Sequence, residues 1–138
     1  MSKDADARQR TVYSIRNTAI CNWCDTDFVG TDGLNGGKYS VNQIAEILLK
    51  LWPSSNPSNP YVVCTGGEPL LQLDTTLVQA FHARGMEVAI ETNGTKAAPP
   101  EIDHICVSPK FGAELILTQG HELKLVFPQV GAEPERFS

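Results

Sequence analysis

The chain has 138 residues, of which 41% are hydrophobic and 20% charged, which suffices for one domain-sized core. No apolar run reaches the length of about 20 residues that a membrane span needs. The net charge of −5 comes without any Lys/Arg cluster, so neither a membrane nor a nucleic acid is the expected partner. Residues 1–10 are polar and lack the apolar segment of a secretory signal. A soluble, cytoplasmic protein with a small-molecule ligand fits these features. The four cysteines, Cys21, Cys24, Cys64 and Cys106, are then not a disulfide framework.

In chain order, residues 1–12 carry no pattern, and 13–21 read equally as strand or loop. Residues 21–38 are loop-like, with Gly30, Gly33, Gly36 and Gly37 among polar neighbours. Ser40 opens a helix, because Gln43 follows at capping-box spacing. Ile44, Ile47, Leu48 and Leu51 then recur as one apolar helical face. Three prolines between residues 52 and 60 end it. Residues 61–64 form a short buried strand running into Thr65-Gly66-Gly67-Glu68-Pro69. A second helix follows, capped by Asp74 or Thr75, with the stripe Leu77, Val78, Phe81 and a C′ stop at Gly85. Strands are expected at 87–91, 104–107 and 122–127, the first two leading into Thr92-Asn93-Gly94 and Ser108-Pro109-Lys110. Residues 128–138 read as a truncated connection.

Strands alternating with helices or long loops imply a parallel sheet with crossovers. Polar and glycine-bearing segments then fall at the carboxyl ends of three successive strands, the edge where parallel α/β folds bind ligands.

Two segments carry chemistry. Cys21-Asn22-Trp23-Cys24 places two thiols where they can hold a metal or one corner of a cluster. A redox dithiol and half of a zinc site are the other readings, and a zinc site lacks two further ligands at similar spacing. His82, His104 and His121 are scattered, and His82 lies on a helix. Cys64 and Cys106 sit in apolar runs and read as core. In Thr65-Gly66-Gly67-Glu68-Pro69, two glycines after a strand let backbone approach a ligand closely, and Glu68 offers a carboxylate to a cation; a tight turn explains the glycines alone.

A C-x-x-C pair upstream of a strand ending in Gly-Gly-Glu-Pro resembles the radical S-adenosylmethionine (SAM) enzymes. The ordered blocks Cys24-Asp25-Thr26-Asp27-Phe28, Gly30-Thr31-Asp32-Gly33, Cys64-Thr65-Gly66-Gly67-Glu68-Pro69, Glu91-Thr92-Asn93-Gly94, Ile105-Cys106-Val107-Ser108-Pro109-Lys110 and Glu122-Leu123-Lys124 narrow it. Over residues 19–129 the chain is similar to the 7-carboxy-7-deazaguanine synthase family.

The resemblance implies an α/β fold, a partial (incomplete) TIM-like barrel of parallel strands of radical SAM type, with residues 1–138 as a single partial domain. It implies a carbon–nitrogen lyase that contracts 6-carboxy-5,6,7,8-tetrahydropterin to 7-carboxy-7-deazaguanine with loss of ammonia, in queuosine or other deazapurine biosynthesis. The cofactors implied are a [4Fe–4S] cluster, SAM and Mg²⁺. Cys21 and Cys24 match cluster ligands, and Thr26 an oxygen ligand of Mg²⁺. Thr65 matches a substrate contact. Gly67, Glu68, Ser108, Pro109 and Lys110 match the SAM site, with Trp23 near the adenine and Glu91 and Asn93 as further polar contacts. A reductant such as flavodoxin and a homodimer complete the implied partners.

Each assignment has a plainer alternative: Thr26 caps a turn, Asp25, Asp27 and Asp32 form a solvated loop, and Lys110 and Lys124 are surface lysines. The chain also departs from the family. No cysteine precedes Cys21, so the family's first cluster ligand has no match, and Arg16 does not replace the family's early substrate-binding Arg. The sequence therefore reads as truncated at both ends, and a catalytically impaired fragment or a non-catalytic α/β remnant stands beside the active synthase. A glycyl-radical activase is the other radical SAM reading, opposed by the Cys-Asp-Thr and Val-Ser-Pro-Lys segments.

Overall fold

The structure, a computed structural model, describes residues 36–131 and 133–137. It contains helix α1 (Val41–Leu51), strand β1 (Tyr61–Cys64), a 3-10 turn (Pro69–Leu71), helix α2 (Thr75–His82), strands β2 (Glu87–Thr92), β3 (His104–Val107) and β4 (Glu122–Leu123), and a final 3-10 turn (Pro134–Phe137). The four strands form one parallel sheet in the order β1-β2-β3-β4. The expected α/β class is met.

Helix α1 starts where the sequence places it. The Ser40 hydroxyl accepts from the Gln43 N–H at 3.3 Å, and the Gln43 side-chain oxygen accepts from the Ser40 N–H at 2.8 Å. Its buried face is rotated from the expected one. Ala45 is fully buried and Ile44 and Leu48 pack beside it, whereas Leu51 is 69% exposed. On the same side, Arg84 from the neighbouring helix end donates to Glu46 at 2.9 Å and to Asn42 at 3.2 Å. The small Ala45, fully buried beside them, permits close approach along the Asn42–Glu46 side.

Helix α2 is capped by Asp74, whose carboxylate accepts from the Leu77 N–H at 2.9 Å. Its C-cap is Ala83, so Gly85 (φ +73°) turns the chain one residue later than expected. Val78 and Phe81 enter the core beside Leu73, Met86, Val88, Ile90 and Ile102. The core thus lies between the two helices and the sheet face carrying Val62, Cys64, Val88, Ile90 and Ile105. The opposite face of β1 is open, with Tyr61 and Val63 exposed. The expectation of a buried strand there is corrected: β1 alternates, with one face packed and one exposed.

The strand expected at 122–127 is also corrected. β4 has two residues, paired as Cys106↔Glu122 and Val107↔Leu123, with one further bond from the Lys124 N–H to the Val107 carbonyl. The ladder stops because β3 has no more donors for it. The Ser108 N–H turns to the Thr92 carbonyl at 2.7 Å, and Pro109 has no N–H.

Between β2 and β3, the Asp103 carboxylate ties the sheet to α2. It accepts from the Val88 N–H at 2.8 Å and meets His82 Nε2 at 2.8 Å. These bonds, the backbone one first, hold its pKa below the ordinary aspartate value. A carboxyl lowered in the folded state adds stability that is present above its unfolded value and is lost as pH falls through the folded one. Asp103→Asn weakens the bond from the Val88 N–H and should cost at most about 1 kcal/mol near pH 7, because the carboxylate is exposed and its pairing with His82 is screened by solvent. It should also flatten the decline in urea stability of the parent chain below about pH 4. A variant whose decline runs parallel to the parent's would assign the acid sensitivity elsewhere.

Candidate ligand site at the carboxyl edge of the sheet

Strands β1, β2 and β3 end at the same edge, and their exits carry Thr65-Gly66-Gly67-Glu68, Asn93-Gly94 and Ser108-Pro109-Lys110. The parallel registers Cys64↔Ile90 and Thr92↔Val107 bring these segments side by side. Gly66 adopts φ +92°, and a Cβ built there would meet nothing within 4 Å. The β1 exit therefore presents bare backbone to open space.

Glu68 bridges two exits. One carboxylate oxygen accepts from the Thr92 hydroxyl at 2.6 Å and the Leu70 N–H at 3.1 Å; the other accepts from the Asn93 N–H at 2.9 Å. Thr92, 2% exposed, accepts in turn from the Gly94 N–H at 3.1 Å. Asn93 turns its side-chain oxygen onto Thr95, accepting from its N–H at 3.0 Å and its hydroxyl at 2.7 Å. The Ser108 N–H to Thr92 carbonyl bond ties the third exit to the second. Lys110 donates to the Ser108 hydroxyl at 2.6 Å. Beside them a cavity of about 400 Å³ is lined by Asn93, Pro109, Lys110, Phe111, Arg136 and Phe137, among others.

The sequence-derived residues thus divide. Thr65, Gly67, Glu68, Asn93, Ser108, Pro109 and Lys110 lie at this edge. Glu91 precedes it by two positions and pairs with Lys124 at 2.9 Å, which holds the Lys124 ammonium above the ordinary lysine range. Cys21, Trp23, Cys24 and Thr26 lie outside the described residues. Thr92, Phe111, Arg136 and Phe137 are additions that the motifs alone did not single out. Thr92 had a signal: it shares a strand face with Val88 and Ile90, so a hydroxyl there requires an internal partner.

Cys64 and Cys106 are strand residues facing opposite sides of the sheet, and burial pushes both thiols up. Because thiolates are the metal-binding form, both fit the core role read from the sequence. Among the described residues, no group of three His, Cys, Asp or Glu side chains is placed to hold a metal ion. Also among them, no helix is long and apolar enough to cross a membrane.

These features define, among the described residues, a parallel α/β sheet whose carboxyl edge gathers glycine-bearing and polar strand exits beside a cavity of mixed polar and apolar lining, the ligand-binding edge of such sheets. Its relatives carry a particular name. The chain is 59% identical over 123 residues to the 7-carboxy-7-deazaguanine synthase of Bradyrhizobium diazoefficiens, a match covering 88% of the chain and 58% of that protein. It is 57% identical over 126 residues to the synthase of the same name from Bordetella pertussis, covering 91% and 60%. With that of Caulobacter vibrioides it is 54% identical over 123 residues, covering 89% and 59%. The resemblance carried by the motifs is therefore a similarity over most of the chain. The chain spans 58% to 60% of the length of these curated relatives. No family model matches it.

Proposed function

We propose that this chain is part of a 7-carboxy-7-deazaguanine synthase, and that the edge described above is where SAM and the pterin substrate meet. The observation that carries this reading is a convergence: Thr65-Gly66-Gly67, Asn93 and Ser108-Pro109-Lys110 share one sheet edge in a chain 59% identical to a synthase of that name. In this reading the sheet is part of an incomplete TIM-like barrel of radical SAM type, residues 1–138 forming one partial domain. The protein is cytoplasmic, takes electrons from a reductant such as flavodoxin, pairs as a homodimer, and engages neither nucleic acid nor membrane.

The described residues fit a zwitterionic ligand. Gly66 and Gly67 leave backbone open to an amino acid group, the Lys110 ammonium complements a carboxylate, and Ser108 and Asn93 add hydrogen-bonding groups. Thr65, exposed at the end of β1, is available to the pterin. When bound, SAM at an iron–sulfur cluster supplies hydrogen-abstracting one-electron chemistry. The chain's own task is to orient the two molecules and exclude water. Cys21 and Cys24 would hold the cluster and Thr26 would give an oxygen to Mg²⁺. Cys64 and Cys106, set within strands and facing opposite sides of the sheet, do not fit as a third cluster ligand.

The test is anaerobic reconstitution of this chain with iron and sulfide, then assay with SAM, Mg²⁺ and 6-carboxy-5,6,7,8-tetrahydropterin. Formation of 5′-deoxyadenosine and 7-carboxy-7-deazaguanine, with about four iron and four sulfide per chain, is the result expected of a working synthase. Bound zinc, or no metal and no product, would instead mark a non-catalytic α/β module.

A further inference from the structure

The motif places Glu68 among the ligand contacts, yet its carboxylate is engaged within the protein. A carboxylate offers about four acceptor positions, and three are filled here by the Thr92 hydroxyl, the Leu70 N–H and the Asn93 N–H. Leu70 belongs to the turn after β1, and Thr92 and Asn93 to the end of β2. The bonds therefore cross from one strand exit to the next, between residues 24 and 25 apart in sequence.

We propose that Glu68 and Thr92 form a positioning pair that fixes the β1 exit against the β2 exit, so that the backbone of Gly66-Gly67 and the Asn93 side chain face a ligand at a set separation. Glu68 is in this sense a positioning residue, and Thr92 is its required partner. The ligand side of this inference rests on the SAM reading above; the clamp itself does not.

The chemistry makes the pair demanding. Both Glu68 oxygens must accept, because each faces a backbone N–H. Glutamine cannot satisfy that arrangement in either orientation of its amide. With the oxygen toward Thr92 and Leu70, the NH₂ meets the Asn93 N–H; flipped, it meets the Leu70 N–H. Two donors facing each other in a part-buried site leave a polar group unsatisfied. The Thr92 hydroxyl has both its roles filled, donating to Glu68 and accepting from Gly94. Valine at 92 preserves the shape and removes both bonds, while serine keeps them.

Amide hydrogen exchange by NMR on the 138-residue chain tests this without ligand. Glu68→Gln should accelerate exchange at Asn93 on the order of tenfold and leave Ile90, in the middle of β2, unchanged. Thr92→Val should accelerate Gly94, and Thr92→Ser should restore it. Equilibrium dialysis with SAM should show weaker binding in both Glu68→Gln and Thr92→Val. Unchanged Asn93 exchange in Glu68→Gln overturns the clamp, as does acceleration spread evenly along β2. If Glu68→Gln does not fold, equal Leu70 and Asn93 exchange in Thr92→Val and the parent overturns it. Absence of SAM binding by the parent chain overturns the ligand reading instead, and the exchange data still decide the clamp.

Discussion

Phe81→Ala should lower the stability of the chain by about 3–5 kcal/mol in urea denaturation, which for a domain of ordinary stability removes roughly a fifth or more of the total. Phe81 is 1% exposed and is among the largest fully buried side chains. It stands at the last turn of α2, where the apolar stripe meets Val88 and Ile90 of the sheet and Ala45 of α1. Its loss leaves a cavity bounded by all three elements. The backbone around it cannot settle inward, because the Phe81 carbonyl accepts from the N–H groups of Arg84 and Met86 at 3.0 and 3.2 Å. A loss below about 1 kcal/mol would mean that the site collapses readily and that the core lies elsewhere.

The second large effect concerns Gly94. It adopts φ +75°, and a Cβ there would stand 2.5 Å from Leu115 Cδ1 and 3.0 Å from Val107 Cγ1. Any L-residue pays about 1–2 kcal/mol for the left-handed conformation, and crowding adds about 1–3 kcal/mol. Leu115 Cδ1 is the tip of a flexible chain and can turn aside. Val107 is β-branched and stiff, and the Gly94 carbonyl is fixed by the N–H groups of Ile116 and Leu117, both at 2.9 Å. Gly112 supplies the comparison, since it has φ +81° and nothing within 4 Å of a Cβ. Gly94→Ala should cost at least about 1 kcal/mol more than Gly112→Ala. Equal costs in thermal or urea melts would show that only the backbone conformation matters at residue 94.

Where local chemistry dictates structure, the sequence was legible. Ser40 with Gln43 and Asp74 with the Leu77 N–H are caps that depend on neighbours three residues apart; the first stands where the pattern put it, and the second is one of the two residues the pattern offered. The carboxyl-edge convergence was also legible, because alternating strands and helices leave few arrangements for three polar strand exits. What was not legible depends on distant residues. The face that α1 buries depends on partners far along the chain, among them Val78 and Phe81 of the core and Arg84, 38 residues from Glu46. The short β4 follows from Pro109 on its neighbour, and the alternation of β1 from the core packing on only one of its faces, and neither is written in those strands themselves. Glu68 shows the same limit within the site. Its motif marks it as important, but only the fold reveals that its bonds run to Thr92 and Asn93.

The spacing of the sheet also sets the reach of anything that binds there. Adjacent strands lie about 4.8 Å apart, so the exits of β1 and β3 are separated by roughly 10 Å. A lone inorganic anion resting on one exit leaves the others untouched. A molecule that contacts Gly67 at one end and Lys110 at the other must be elongated and must lie across the strands. Length along that line, as much as charge, decides what this edge can hold.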